Sequence, residues 1–315
     1  MYSIRSESFK KEKLYANLHT HSTHSDGVYS PEELAKIAKE EGYMALAISD
    51  HDAATAYPEL KRACDELGIE SIFAVEFSVK KPYDFHIVAF EFDPEYPEMK
   101  KYLEYQGYAQ TYNTKMCFEE ALGNGNIKGI TWDEILEYNK GIIWLCNNHV
   151  FRAMKAKGLI EENQYMEWFD TNFKTQRGKY DIKDRFLDLN GIVELIHKAG
   201  GIAVCAHPSK EHIENFKLLQ DAGIDGLEII HARMDDETRN KALKLCIENN
   251  LYISGGSDHC GLCGGFYDSY PDYESLKKSY HYKAPLSLGA YEVNFREIKT
   301  RTINKEAREK IEFNS

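Results

Sequence analysis

Six of the twelve histidines stand in short apolar settings close to acidic residues: His19, His21, His51, His86, His207 and His259, with Asp26, Asp50, Glu76 and Asp258 nearby in the chain. Imidazole nitrogen with carboxylate oxygen is the donor set of zinc, iron and manganese sites. In His19-Thr20-His21, residues two apart on an extended strand point the same way, so both rings can reach one ion. An isolated His-x-His is more often a pair of solvated or hydrogen-bonded histidines. Here Ser25-Asp26-Gly27 follows it and Asp50-His51 ends the next apolar run, which favours a metal centre. Glu76 follows Phe73-Ala74-Val75 and so puts a carboxylate at the end of a buried strand, where an unpaired charge is costly. Its two oxygens suit it to bridge two ions; a salt-bridged glutamate at a rim is the competing reading.

Such a cluster suggests phosphate ester hydrolysis without a nucleophilic side chain. A hydroxide bridging two ions forms near neutral pH, and the same ions neutralise phosphate oxygens during in-line attack. The sequence carries neither a Gly-x-Ser-x-Gly elbow nor a phosphate-binding P-loop. Within Glu228-Ile229-Ile230-His231-Ala232-Arg233, Arg233 is expected to clamp phosphate bidentately, with His231 beside it or protonating the leaving oxygen. A rim arginine paired with Asp235 or Asp236 is the alternative. Cys260-Gly261-Leu262-Cys263 is formally a Cys-x-x-Cys, but without a second pair it indicates only a loop near the site. The Gly255-Gly256 and Gly264-Gly265 pairs would let backbone approach the metals. His24, His197, His212 and His281 have no such setting and are expected at the surface.

The elements that must position these residues are legible as apolar runs at 14–21, 44–51, 71–79, 85–92, 201–208, 226–231 and 251–258. Helical patterns separate most of them. Ser30-Pro31-Glu32-Glu33 supplies an N-cap, a first-turn proline and acidic residues, and Gly42 ends that helix. A second helix covers 235–249 with Asp235 as its cap. The alternation predicts an α/β fold with a parallel sheet, and seven strands favour a closed or nearly closed barrel whose strand ends converge on one face. Residues 94–188 carry no convincing strand, and a helical insertion accounts for them. The expected organisation is a metal-binding barrel from 1–93 and 189–315, with 94–188 as a substrate-covering insertion. A further strand is expected at 290–295, followed by a polar helical tail.

His19-Thr20-His21 with Asp26, Ser49-Asp50-His51-Asp52, Glu76, His86, Ala206-His207-Pro208 and Gly256-Ser257-Asp258-His259 resemble the ordered motifs of the polymerase and histidinol phosphatase (PHP) family. The resemblance runs from about residue 15 to residue 265, outside the insertion. It implies a distorted seven-stranded β/α barrel with two or three divalent metals at the strand ends. One metal would take His19, His21, Glu76 and Asp258; a second would share Glu76 and add His86 and His207; a third would take Asp26, His51 and His259. The family pattern usually has Ser-Asp-x-His near the end, whereas here His259 follows Asp258 directly and Cys260 stands at the expected histidine position. Cys260 is thus a possible substitute ligand. The resemblance also implies that the insertion contacts a nucleotide, with Asn147, Asn148, His149 and Arg152, before a helix at 153–158, as candidate contacts.

Composition bounds the partners. The chain has 315 residues, 39 basic and 51 acidic side chains and a formal charge of −12, which argues against a duplex DNA surface but not against a small phosphorylated substrate. No run approaches the roughly 18 apolar residues of a membrane span, and the first 13 residues are polar. Seven cysteines without an export signal point to reduced thiols in a cytoplasm. The expectation is a cytoplasmic, metal-dependent phosphoesterase acting on a phosphate monoester of a nucleotide or short oligonucleotide end. The manganese, iron or zinc alternatives stay open. A histidinol-phosphate-type phosphatase and a non-catalytic metal-bound scaffold or sensor are the competing functions; a polymerase proofreading module lacks its polymerase.

Overall fold

The computed structural model describes residues 16–82, 84–176, 178–231, 234–258 and 292–303. Seven strands form one sheet in chain order: β1 (Ala16–Asn17), β2 (Ala45–Ile48), β3 (Glu70–Val79), β4 (Phe85–Phe90), β5 (Ile202–Cys205), β6 (Gly226–Ile230) and β7 (Tyr252–Gly255). Each falls within or beside an expected run. Backbone bonds from Leu18 N–H to the Gly255 carbonyl (3.1 Å) and from Ser257 N–H to the His19 carbonyl (3.0 Å) join the first and last strands, so the sheet nearly closes into a barrel.

The expectation of a parallel sheet fails at one strand. β4 runs antiparallel to both β3 and β5, while the other pairings are parallel. Only residues 80–84 separate β3 from β4, and a parallel return needs a crossover of about a dozen residues or more. The reversal matters for the site. His86 is the second residue of β4 and pairs in register with Ser78 near the end of β3, so it reaches the same barrel face as the other strands' carboxyl ends.

Helices α1 (Pro31–Glu41), α2 (Tyr57–Leu67), α7 (Leu189–Lys198), α8 (Lys210–Glu214), α9 (Phe216–Asp221) and α10 (Asp236–Glu248) connect the barrel strands. α1 has the capping box of Ser30 and Glu33 and ends at Gly42 with φ 85°; a left-handed backbone there favours glycine. Asp235 caps α10 by accepting from Thr238 N–H. Outward-facing residues such as Phe73, Val75, Phe77, Leu227 and Ile229 pack against this helical layer. Inward-facing Ala45, Ala47, Ile72, Ala74, Val88, Phe90 and Val204 fill the barrel, the alternation a strand with two buried faces imposes.

The strand expected at 290–295 is replaced by helix α11 (Glu292–Thr300). Phe295 and Ile298, three apart, are fully buried with the barrel-interior cluster; that spacing serves a helix face rather than a strand face. Between β4 and β5 lie α3 (Pro97–Gly123), α4 (Trp132–Tyr138), α5 (Asn147–Ala156) and α6 (Tyr165–Asn172). They share an apolar cluster of their own around Phe118, Ile135, Phe151, Tyr165 and Trp168. Among the described residues, no helix is long and apolar enough to cross a membrane.

Candidate metal centre

The inward alternation continues past the apolar interior into polar side chains. On β3, Ile72 and Ala74 are followed two residues on by Glu76. On β4, read backwards from Phe90 and Val88, the next inward position is His86. Glu76 is fully buried and its oxygens meet a ring of imidazoles: His86 Nδ1 at 2.9 Å, His51 Nδ1 at 3.1 Å, His207 Nε2 at 3.2 Å, and His19 Nε2 and His21 Nε2 both at 3.3 Å. Asp258 Oδ1 lies 3.1 Å from His21 Nε2, and Asp26 Oδ1 lies 3.6 Å from His21 Nδ1. Burial alone would raise the Glu76 carboxyl, but the imidazoles of His86, His19 and His51 hold it well below the usual range.

Among the described residues, three sets each have donor atoms within 4.8 Å of one another: His19, His21, Glu76 and Asp258; His21, Asp26 and His51; and His51, Glu76 and His86. The fit to cations is visible in what these atoms lack. His19 Nε2, His21 Nδ1, Asp26 Oδ1, His51 Nδ1, Glu76 Oε2 and His86 Nδ1 are buried and, although several face one another at the distances above, none is in hydrogen-bonding geometry. Buried polar atoms are nearly always partnered. Six orphans collected around one carboxylate are what a cluster of divalent ions would satisfy. The first set matches the expected one in full. In the expected Glu76–His86–His207 set, His51 stands beside Glu76 and His86, with His207 on Glu76; in the expected Asp26–His51–His259 set, His21 joins Asp26 and His51. His259 and Cys260 lie outside the described residues.

Residues behind the donors fix their geometry. Glu228 is inward on β6 between outward Leu227 and Ile229, and is buried. Both its oxygens lie 3.1 Å from His19 Nδ1, and Oε2 accepts the His207 backbone N–H at 2.8 Å. With Nδ1–H donating to Glu228, the lone pair of His19 sits on Nε2, facing Glu76; carboxylates of this kind set the tautomer of ligating histidines. Asp50 accepts from Ser22 N–H (2.7 Å), Ser22 Oγ (2.6 Å) and Ser25 Oγ (2.5 Å), anchoring the loop that carries Asp26. At Gly256 a Cβ would come within 2.4 Å of His19 Cβ, so the close approach of β7 to His19 requires glycine. Asp52, His207 and Asp258 take left-handed backbone (φ 47°, 29° and 50°), a sparsely populated region that clusters at functional sites.

Several expectations need correction. His149 was expected to contact substrate, yet it is fully buried. Its Nδ1 accepts the Cys146 backbone N–H at 2.9 Å, and Nε2–H donates to the Thr23 carbonyl at 3.0 Å. Arg152 gives its guanidinium to the Gly27 and Thr23 carbonyls at 2.5 and 3.5 Å. Both lie on a helix that starts at Asn147, not after Arg152. His231 is 1% exposed and its Nε2 is 3.8 Å from Asp258 Oδ2. Burial pushes its imidazole down to about 3, against the opposing pull of Glu228 and Asp258. Arg233 lies outside the described residues.

Two surface assignments also change. His24 is buried, with Nδ1 at 2.8 Å from Thr55 Oγ1, and His212 is buried beside Ser209 and the Phe85 ring. His197 stays half exposed and pairs with Asp225 at 2.7 Å; His281 lies outside the described residues. Sequence reasoning missed Glu228, whose signal is a lone acid in an apolar strand. It also missed Trp144, whose ring stacks on His51 at 5.9 Å and 27°; nothing local in the sequence marks that contact.

The PHP domain model matches residues 17–190. The chain belongs to the PHP domain family. Among curated relatives, a 5'-3' exoribonuclease of Haemophilus influenzae is 32% identical over 258 residues, covering 79% of this chain and 90% of the relative. A 3',5'-nucleoside bisphosphate phosphatase of Chromobacterium violaceum is 27% identical over 251 residues, covering 77% and 86%. A solved structure from Bifidobacterium adolescentis, assigned as a metal-dependent phosphoesterase, shares the fold with a TM-score of 0.67 at 22% identity, covering 93% of this chain and 98% of that one.

Proposed function

We propose that this PHP-family phosphoesterase hydrolyses a phosphate monoester of a nucleotide or of the end of a short oligonucleotide, using two or three divalent ions (manganese, iron or zinc). The observation that carries this reading is the set of six orphaned donor atoms around Glu76. His19, His21, Glu76 and Asp258 would hold one ion; His86 and His207, with Glu76 and His51, a second; Asp26, His51 and His21, with His259 from outside the described residues, a third. Divalent ions in such a centre acidify water and neutralise phosphoryl oxygens.

The chain's own residues do the rest. Glu228 fixes the His19 tautomer, Glu76 ties the donor sets together, and the Asp50 carboxylate holds the Ser22–Ser25 turn against the barrel. Residues 94–188 are assigned as the cover over this face. Arg233 is assigned as the phosphate clamp because it follows His231, which sits among the donors. The relatives support a nucleotide or oligonucleotide substrate: one is named a 5'-3' exoribonuclease and the other a 3',5'-nucleoside bisphosphate phosphatase. A formal charge of −12 favours a small or single-stranded substrate over duplex DNA. Five buried free cysteines (Cys64, Cys117, Cys146, Cys205 and Cys246) support the reading of a reducing, cytoplasmic setting.

The test is a substrate panel with Mn²⁺-loaded protein: mononucleotides, a 3',5'-bisphosphate, short 5'-phosphorylated RNA and histidinol phosphate. Nucleotide or RNA-end substrates should lead in kcat/KM. Histidinol phosphate leading would replace the reading with an amino-alcohol phosphatase, and no turnover of any member would leave a metal-bound scaffold. On the RNA, release of phosphate marks monoester cleavage, whereas release of 5'-mononucleotides would overturn the monoester assignment in favour of exonucleolytic cleavage.

A further inference from the structure

Asp26 differs from the other proposed ligands in how it is held. His19, His51, Glu76, His86 and His207 sit on or beside barrel strands, but Asp26 lies in the turn of residues 22–29, and its side chain is 33% exposed. Gly27 lets that turn fold back on itself, since a Cβ there would lie 2.2 Å from the His21 carbonyl oxygen. The barrel side secures the start of the turn through Asp50. Its later carbonyls are addressed from the insertion. Asn148 Nδ2 donates to the Asp26 carbonyl at 2.7 Å, His149 Nε2 to Thr23 at 3.0 Å and Arg152 to Gly27 and Thr23; the Cys146 thiol is 3.8 Å from the Ser25 carbonyl.

The groups that do this are themselves fixed. Tyr165 donates its hydroxyl to Asn148 Oδ1, and the Cys146 N–H sets the His149 tautomer. The same segment reaches His51: Trp144 lies against its ring, and Trp144, Cys146 and Ala53 form a small apolar cluster beside it. Packing alone would leave the turn free to slide. Hydrogen bonds to the Thr23, Asp26 and Gly27 carbonyls set its register.

We propose that residues 144–152 of the insertion are the positioning device for the Asp26 side of the metal centre, fixing Asp26 and His51 so that they and His21 can hold an ion together. This rests on the reading of the strand-end cluster as a metal centre. It gives the insertion a second task beside covering the substrate. Occupancy of the Asp26 site becomes a property of the insertion, whereas the His19–Glu76–Asp258 site depends on the barrel.

The experiment compares full-length wild type with Asp26→Asn, Arg152→Met, Asn148→Leu, Arg152→Lys and the double variant Asp26→Asn/Arg152→Met. Each is stripped, reloaded with Mn²⁺ and measured for bound metal by plasma mass spectrometry, with folding checked by circular dichroism. Trp144 fluorescence follows the titration, Trp144→Phe serving as the blank. Arg152→Met and Asn148→Leu should weaken one class of ion by ~10–100-fold, the range for residues that orient ligands, and leave the others unchanged. Arg152→Lys should recover part of that loss, and the double variant should add nothing to Asp26→Asn. If Arg152→Met and Asn148→Leu keep the wild-type complement and affinity while Asp26→Asn loses an ion, the proposal fails and the metal centre stands. Loss of every ion in folded Arg152→Met also overturns it, making the segment a support of the whole barrel. A wild type that takes up no metal overturns the underlying reading as well.

Discussion

The two ends of the barrel interior are built from the same strands and do opposite things. At one end Ala45, Ile72, Phe90 and Ile202, with Phe295 and Ile298 of α11, form a dry apolar plug. At the other, the same inward-facing rows end in His51, Glu76 and His86, which include buried donor atoms held in no hydrogen bond of good geometry. A few residues along one strand separate hydrocarbon from a ligand cluster. Within the barrel interior the apolar packing lies at the plugged end, and the poorly satisfied polar atoms, which cost stability, lie at the open end, where bound ions would offset that cost.

That contrast can be broken from either side. Glu76→Gln should have the largest effect, removing the shared carboxylate and reducing hydrolysis by about 1000-fold, the upper range for loss of one charge-stabilising group; steady-state kinetics with saturating Mn²⁺ measures it. Phe295→Ala should leave metal stoichiometry unchanged while lowering unfolding free energy by about 3–5 kcal/mol, as for a large buried aromatic, read by denaturant titration. If metal were lost along with stability, the two ends would not be separable. Glu228→Gln should sit between them, weakening metal binding by about 10–100-fold with a small change in unfolding midpoint. The smallest effect concerns Cys146: burial raises its thiol to about 12, so at pH 7 it should resist alkylation in the native protein and react once unfolded, as mass spectrometry would show.

How much of this was legible in the sequence depends on the range of the signal. Strands announce themselves as apolar runs, and the ligands that follow them are local: His19-Thr20-His21 and Asp50-His51 need no tertiary knowledge. The antiparallel turn of β4 is encoded in the short gap at 80–84, a signal easily overridden by the alternation elsewhere. Glu228 is visible as one acid inside an apolar strand, but Arg233 downstream draws the phosphate argument first. The contacts of Asn148, His149 and Arg152 with the Asp26 turn join residues more than a hundred positions apart, and no local pattern encodes such a pairing. His149 therefore resembles a binding residue in sequence and proves to be a buried support.

The central claim is that the unpartnered atoms around Glu76 are filled by divalent ions that enable hydrolysis. It is tested most directly by stripping the protein with chelator and titrating Mn²⁺ back while following both bound metal and turnover of a 3',5'-nucleoside bisphosphate. The account predicts that turnover is absent in the stripped protein and rises with metal content to a plateau at two or three ions per chain. Undiminished turnover in protein shown to be free of metal would contradict it.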